Sequence, residues 1–150
     1  MKLRCEALAK GVTPEAAYGW WTQFQEGCDD HRFFRMPEGS GRRLLRVTPS
    51  EVEMEDAGRI LWIPFIERTL ALLDPPRAVH LRGRNSFSEF RGTYHFLPHP
   101  EGTLVRFEGD VFPLGFLAIL SPLGAPLVRA FVRKDLQGHV KELSHELATG

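Results

Sequence analysis

From Arg42 onward, apolar and polar residues alternate with a period of two, the pattern of strands buried on one face. Glu51, Glu53 and Glu55 interleave with Val52 and Met54. Folding residues 42–48 back around Pro49-Ser50 sets Leu45 against Met54, Val47 against Val52, and Arg46 against Glu53 on the wet face. Pro-Ser makes a poor two-residue turn, so a wider loop is expected there. The next turn is expected near Ala57-Gly58. A strand then returns from Ile60 through Pro64 and stops at Asp74-Pro75-Pro76. Pro64 cannot donate to a ladder, so it marks a bulge or an edge. Residues 78–84, 87–97 and 103–112 read as three further strands. Turning at Asn85-Ser86 pairs Leu81 with Phe90 and Val79 with Gly92, with Arg82 beside Glu89 outside. Turning through 98–102 pairs Phe96 with Val105, Tyr94 with Phe107, Gly92 with Gly109 and Phe90 with Val111. Both hairpins assign the same residues to the inner face, which a wrong period would not give. With a first strand at residues 3–9, the pattern predicts seven strands.

Two segments switch to helical spacing. Thr13 is suited to an N-cap, Pro14 to the first helical position and Glu15 to the first turn. Ala17, Trp20, Trp21 and Phe24 then form an apolar stripe, with Gly27 as the expected stop and a short second helix over 28–34. Near the other end, Val132, Leu136, Val140, Leu143 and Leu147 define the seam of a helix over 126–147, about 33 Å long. Between strands and helix, residues 111–128 carry no charge over a nominally membrane-spanning length. Pro113, Gly115, Pro122, Gly124 and Pro126 argue against a spanning helix and are expected to prevent one long helix here. Residues 113–126 therefore read either as a mobile apolar gate, able to touch a membrane or a delivery partner transiently, or as fixed core where the chain turns.

Composition narrows the class. The chain has 150 residues, 43% hydrophobic, with 19 basic and 19 acidic side chains. One domain over residues 1–150 is expected, hiding roughly 70% of its unfolded surface. The balanced charge argues against a nucleic-acid partner. Cys5 and Cys28 are too few for a disulfide scaffold, and no signal peptide precedes Leu3, so free thiols and a cytoplasmic location are expected. Oligomeric state is not readable.

The order strand, helix, helix, six strands, long helix resembles the START-like helix-grip superfamily. That superfamily includes polyketide cyclases/dehydrases, lipid-transport domains and pollen-allergen-like proteins. The local carriers are V-T-P-E-A-A-Y-G-W-W at 12–21, L-L-D-P-P-R-A-V at 72–79 and G-T-Y-H-F-L-P-H-P-E-G-T-L-V-R-F at 92–107. The chain departs from the family in having Thr22 and Gln23 where an acidic residue usually closes the first helix. The resemblance implies an α+β fold, a seven-stranded curled antiparallel sheet gripping the C-terminal helix, with a ligand cavity between them. It implies no universal catalytic motif.

On that fold the inner face carries Val79, Leu81, Phe90, Gly92, Tyr94, Phe107 and Gly109, opposite Val132, Leu136 and Val140 of the helix. These residues either fill a core or line a cavity of about 300–1,000 Å³. Opposed Gly92 and Gly109 either clear space at the centre or let the sheet bend. Continuing the strand phase through Pro64 aims Glu67 and Thr69 inward, whereas a bulge there aims Arg68 inward. Glu67 or Arg68, with the Tyr94 hydroxyl, would orient a ligand.

Cys28, Asp29, Asp30 and His31 have the composition of metal ligands but point in different directions on a helix. His95 and His99 flank a turn, and His139 and His145 stand six apart on the terminal helix; all four read as solvated. Gly39-Ser40-Gly41 followed by Arg42 and Arg43 reads as a loop entering a strand. No nucleophile elbow, phosphate loop or dinucleotide fingerprint is present, and neither metal nor cofactor is expected. The expected function is non-covalent binding of a hydrophobic small molecule: a lipid, an isoprenoid or a polycyclic, polyketide-like compound. The alternatives are a polyketide aromatase/cyclase-type enzyme using the same cavity and a protein-interaction module built on 111–128.

Overall fold

The structure is a computed structural model that describes residues 1–24, 41–60 and 63–149, without the side chains of 59–60 and 116–117. The expected second helix over 28–34 lies outside the described residues. In chain order the elements are β1 (Lys2–Lys10), α1 (Pro14–Trp21), β2 (Gly41–Val47), β3 (Glu51–Ile60), β4 (Ile63–Asp74), β5 (Ala78–Arg84), β6 (Ser88–His99), β7 (Gly102–Pro113) and α2 (Phe116–Thr149). The strands form one seven-stranded antiparallel sheet in the order β1-β7-β6-β5-β4-β3-β2. This is the helix-grip α+β fold.

Helix α1 starts as its sequence dictates. Thr13 Oγ1 accepts from Ala16 N at 3.2 Å, and Pro14 follows the cap. The helix stops at Trp21, well short of Gly27: Thr22 is its C-cap and makes the last i→i−4 bond, after which Gln23 N turns to the Trp20 carbonyl at 3.4 Å. Thr22 donates through both N and Oγ1 to the Tyr18 carbonyl, at 3.0 and 2.9 Å.

The β6–β7 ladder has the expected register throughout, from Phe90↔Val111 to Phe96↔Val105. The β5–β6 ladder is displaced by two residues: Leu81 pairs with Gly92, Val79 with Tyr94, Arg82 with Arg91 and Arg84 with Glu89. The cause is the Asn85 side chain, whose Oδ1 accepts from Phe87 N at 2.8 Å and Ser88 N at 2.9 Å, holding a wider turn than Asn85-Ser86. An even displacement leaves every side chain on its expected face.

Between β2 and β3, Arg46↔Glu53 and Val47↔Val52 pair as expected, but a bulge at Leu45 follows, and Leu44 takes the place opposite Met54. The turn expected at Ala57-Gly58 is absent. Those residues pair with Ile66 and Phe65, and the β3–β4 ladder continues to Ile60↔Ile63. It runs unbroken past Arg59↔Pro64, while β5 joins β4 only from Arg68. Pro64 therefore sits on a free stretch of edge without a bulge. Strand phase is kept: Phe65, Thr69 and Ala71 are buried, and Ile66 and Arg68 are exposed.

Helix α2 is the largest departure. It runs for 34 residues, about 51 Å, straight through Pro122 and Pro126. Each proline removes one helical bond, to the carbonyls of Ala118 and Pro122. Both residues are exposed, so water can satisfy those carbonyls. Val132, Leu136, Val140 and Leu143 form the buried seam, whereas Leu147 lies beyond it and is exposed. The helix docks on β1 and β7. Trp20 donates its indole N–H to Glu146 and ties the end of α2 to α1.

Candidate functional site

The ladders arrange the concave face in rows. The first joins Arg42, Asp56 and Glu67 across β2, β3 and β4. The second joins Leu44, Met54, Thr69, Gly83, Phe90 and Val111. The third contains Val52, Ala71, Leu81, Gly92, Gly109 and Leu3. The fourth contains Leu73, Val79, Tyr94, Phe107 and Cys5. The sheet thus brings Val79, Leu81, Phe90, Gly92, Tyr94, Phe107 and Gly109 onto one surface, and Val132, Leu136 and Val140 of α2 join its apolar side chains in one core cluster.

Gly92 and Gly109 do not leave empty space at its centre. A Cβ on Gly92 would lie 2.5 Å from Phe107 Cε2, and one on Gly109 would lie 2.6 Å from the Arg91 carbonyl and 3.0 Å from Phe107 Cζ. The Phe107 ring lies over both glycines, as the Phe90 ring lies over Gly83. Phe107 stacks in turn on Tyr94 with centroids 4.8 Å apart, and Tyr94 on Trp21 at 5.1 Å.

Polar groups occupy both ends. In the first row, Arg42 grips Asp56 with both arms of a fork, Nε to Oδ1 at 2.7 Å and Nη2 to Oδ2 at 3.0 Å. The two side chains are only 4% and 8% exposed. Beside them, Glu67 Oε2 accepts from Asn85 Nδ2 at 2.8 Å. Burial pushes the Glu67 carboxyl above its ordinary range against the Asn85 bond, with the Asp56 charge adding to the rise and Arg42 opposing it. Arg68 is on the convex face, 69% exposed, with Nε 3.1 Å from Glu55 Oε2, and Arg43 also holds that carboxylate. A bulge at Pro64 would have turned Arg68 inward, and there is none.

At the other end His139 is buried rather than solvated. Its Nδ1 lies 2.9 Å from the Asp135 carbonyl and 3.3 Å from Asp135 Oδ2, and its ring stacks 5.8 Å from Trp21. His145 is exposed as expected. Tyr94 is fully enclosed, and burial, with the Asp135 and Cys5 charges, holds its hydroxyl well above the usual phenol range. Burial likewise pushes the Cys5 thiol up to about 11, against Arg133 and with Asp135 and Glu6. Among the described residues no group of side chains is arranged for a metal ion. Residues 28–31, whose composition resembles metal ligands, lie outside the described residues.

Along its first half, α2 keeps Ser121, Gly124, Ala125 and Val128 partly buried on one face, and Val128 packs against the core. Its opposite face carries Ile119, Leu123, Leu127 and Phe131, exposed by 77%, 80%, 75% and 55%. The proline-rich segment is therefore neither loop nor buried core. Among the described residues no helix is long and apolar enough to cross a membrane. An open groove of about 460 Å³ lies where α2 begins, bounded by Ile66, Arg68, Arg84, Asn85 and Leu114.

Solved structures share this architecture at low sequence identity, which speaks to the fold alone. A protein from Thermus thermophilus is similar over 99% of this chain and 98% of its own, at 15% identity and a TM-score of 0.73. The Zhui aromatase/cyclase from Streptomyces sp. R1128 matches over 97% and 93%, at 9% identity and a TM-score of 0.70. A START superfamily protein from Mycobacterium smegmatis matches over 95% and 97%, at 14% identity and a TM-score of 0.62. No curated protein sequence matches the chain. The family model for polyketide cyclase / dehydrase and lipid transport matches residues 12–149, and with that match over nearly its whole length the chain belongs to this family.

Proposed function

We propose that this protein binds a hydrophobic small molecule without covalent chemistry, in the space between the concave sheet and the first half of α2. The class is a lipid, an isoprenoid or a polycyclic, polyketide-like compound. The observation that carries the reading is Glu67, a partly buried carboxyl on the concave face beside the Arg42–Asp56 pair, one row from the Phe90–Val111 wall. Apolar walls with one or two placed polar groups are what a small-molecule site requires. In this reading Phe90, Val79 and Leu81 supply the floor, and Val132 closes the deep side. Glu67 anchors the ligand's polar end; Tyr94 and Phe107 stack below. Contact of residues 113–126 with a membrane or a delivery partner belongs to the same proposal, and the outward stripe from Ile119 to Leu127 supports it. A cytoplasmic location is part of the proposal as well.

Native mass spectrometry of freshly purified protein tests the reading. A co-purified apolar compound released on denaturation is the expected result. Bare protein that also fails to take up fatty acids, isoprenoids and polycyclic aromatics would reject it. A second reading, a cyclase of the aromatase type, draws on the Asp135–His139 pair beside Tyr94, since a histidine oriented by a carboxylate is the arrangement used for proton transfer. Turnover of a poly-β-ketone mimic, lost on His139→Gln with ligand affinity retained, would favour it over simple binding.

A further inference from the structure

The Arg42–Asp56 pair lies where a ligand's polar end would reach, and one of its atoms is unaccounted for. The bulge at Leu45 reverses the phase of β2, so that Arg42 enters the concave face while Arg43 pairs outside with Glu55. The fork to Asp56 uses Nε and Nη2. The remaining arm, Nη1, is buried and has no hydrogen-bond partner among the described residues. A guanidinium is a rigid plane, so an arm on the side away from the fork cannot swing back to Asp56. A buried N–H without an acceptor is costly, and an acceptor brought by a ligand removes that cost.

We infer that Arg42 Nη1 recognises a neutral carbonyl oxygen (a ketone, ester or quinone) on the ligand of the proposed cavity. The choice of a neutral acceptor follows from charge. Asp56 already neutralises Arg42, and Glu67 stands directly across from Asp56 in the same row. An incoming carboxylate would meet two acidic side chains and one cation whose charge is already balanced; a carbonyl needs only the donor. The inference rests on the proposed hydrophobic site and adds to it the chemistry of the ligand's polar end.

Three probes of similar shape test it at pH 7.5: the ketone 6-propionyl-2-(dimethylamino)naphthalene, its carbonyl-free analogue 6-propyl-2-(dimethylamino)naphthalene, and the acid 6-(dimethylamino)-2-naphthoate. On the native protein the ketone should bind about tenfold more tightly than the carbonyl-free analogue, the gain expected of a hydrogen bond from a charged donor. The acid should bind less tightly than the ketone. Replacing the pair together, R42M/D56L, avoids leaving Asp56 as an unpaired buried charge. In that variant the ratio of ketone to carbonyl-free binding should fall to about one or below with the affinity of the carbonyl-free analogue retained, and the bound ketone's emission should shift to the blue as its carbonyl loses a donor. Arg42→Lys keeps a cation for Asp56 without the third arm and should lose the preference too, which guards against a folding defect in the double variant. Equal binding of the ketone and its carbonyl-free analogue by the native protein, tighter binding of the acid, or a ratio that survives both variants would each overturn the inference while leaving the cavity standing. If no probe binds at all, the cavity reading fails and the inference falls with it.

Discussion

The two ends of the concave face are held together by different physics. At the Trp21 end, Tyr18, Trp21, Tyr94, Phe96 and Phe107 stack ring on ring against Val140 and Leu143, and most of these side chains are shut off from water. At the Arg42 end the same sheet offers a salt bridge and a carboxyl, while the first half of α2 carries small, partly buried residues on one face and large exposed apolar ones on the other. One end is built by close packing, where shape decides the energy. The other depends on charges staying matched.

Substitutions can separate these accounts. The largest effect belongs to the packed end: Trp21→Ala should cost about 3–5 kcal/mol in urea unfolding, because neighbouring rings cannot collapse into the gap. Loss of less than about 1 kcal/mol would show that this end is loosely filled. Asp56→Ala should cost a comparable or slightly smaller amount, about 3 kcal/mol, by leaving the Arg42 charge buried alone. Here a second substitution repairs the first: R42M/D56L should return close to native stability, whereas no second truncation beside Trp21 would restore what the first removed.

Glu67 gives a smaller, pH-dependent effect. Its native carboxyl binds a proton more tightly than the unfolded one, whose ordinary value is 4.5. As pH rises through the interval above 4.5, the unfolded chain releases its proton first, so stability falls across that interval and levels off above the native value. Glu67→Gln should flatten that fall in pH-resolved thermal melts. An unchanged slope would mean that the carboxyl is hydrated. The smallest effect is expected at Leu123, 80% exposed, where Leu123→Ser should change stability by no more than about 0.5 kcal/mol. A loss of about 2 kcal/mol would mean that the stripe is covered in solution.

Strand number, sheet face and the β6–β7 register were legible because period-two alternation fixes them and short loops leave little freedom. The β5–β6 displacement was hidden in a local bond, Asn85 to the backbone of Phe87 and Ser88, which sequence spacing does not disclose. The Arg42–Asp56 pair was hidden by the bulge at Leu45. A straight ladder sets Arg42 opposite Ala57 and turns it outward, whereas one extra residue brings it inward against Asp56. Glu67 was legible as one of two phases, and the unbroken ladder at Pro64 chose between them. Asp135 and His139 carry a readable signal, a carboxylate and an imidazole four apart beside the Leu136–Val140 seam, which comparing histidines only with one another does not reveal. Prolines in α2 misled because their cost depends on whether the orphaned carbonyl reaches water, a tertiary fact.

The sheet order has a consequence in time. Strands β2 to β7 follow one another as neighbours, so each of those pairings closes a short loop, while β1 pairs with β7, as far apart in the chain as Cys5 and Phe107. Joining distant segments carries the larger closure entropy and comes late in assembly. The meander should zip first, and β1 should arrive with α2, which docks mainly upon it. Substitutions in β1, such as Ala9→Gly, should then accelerate unfolding and leave the folding limb of a chevron nearly unchanged. A native chain would open by the same route in reverse, shedding β1 and the helix from a meander that still stands.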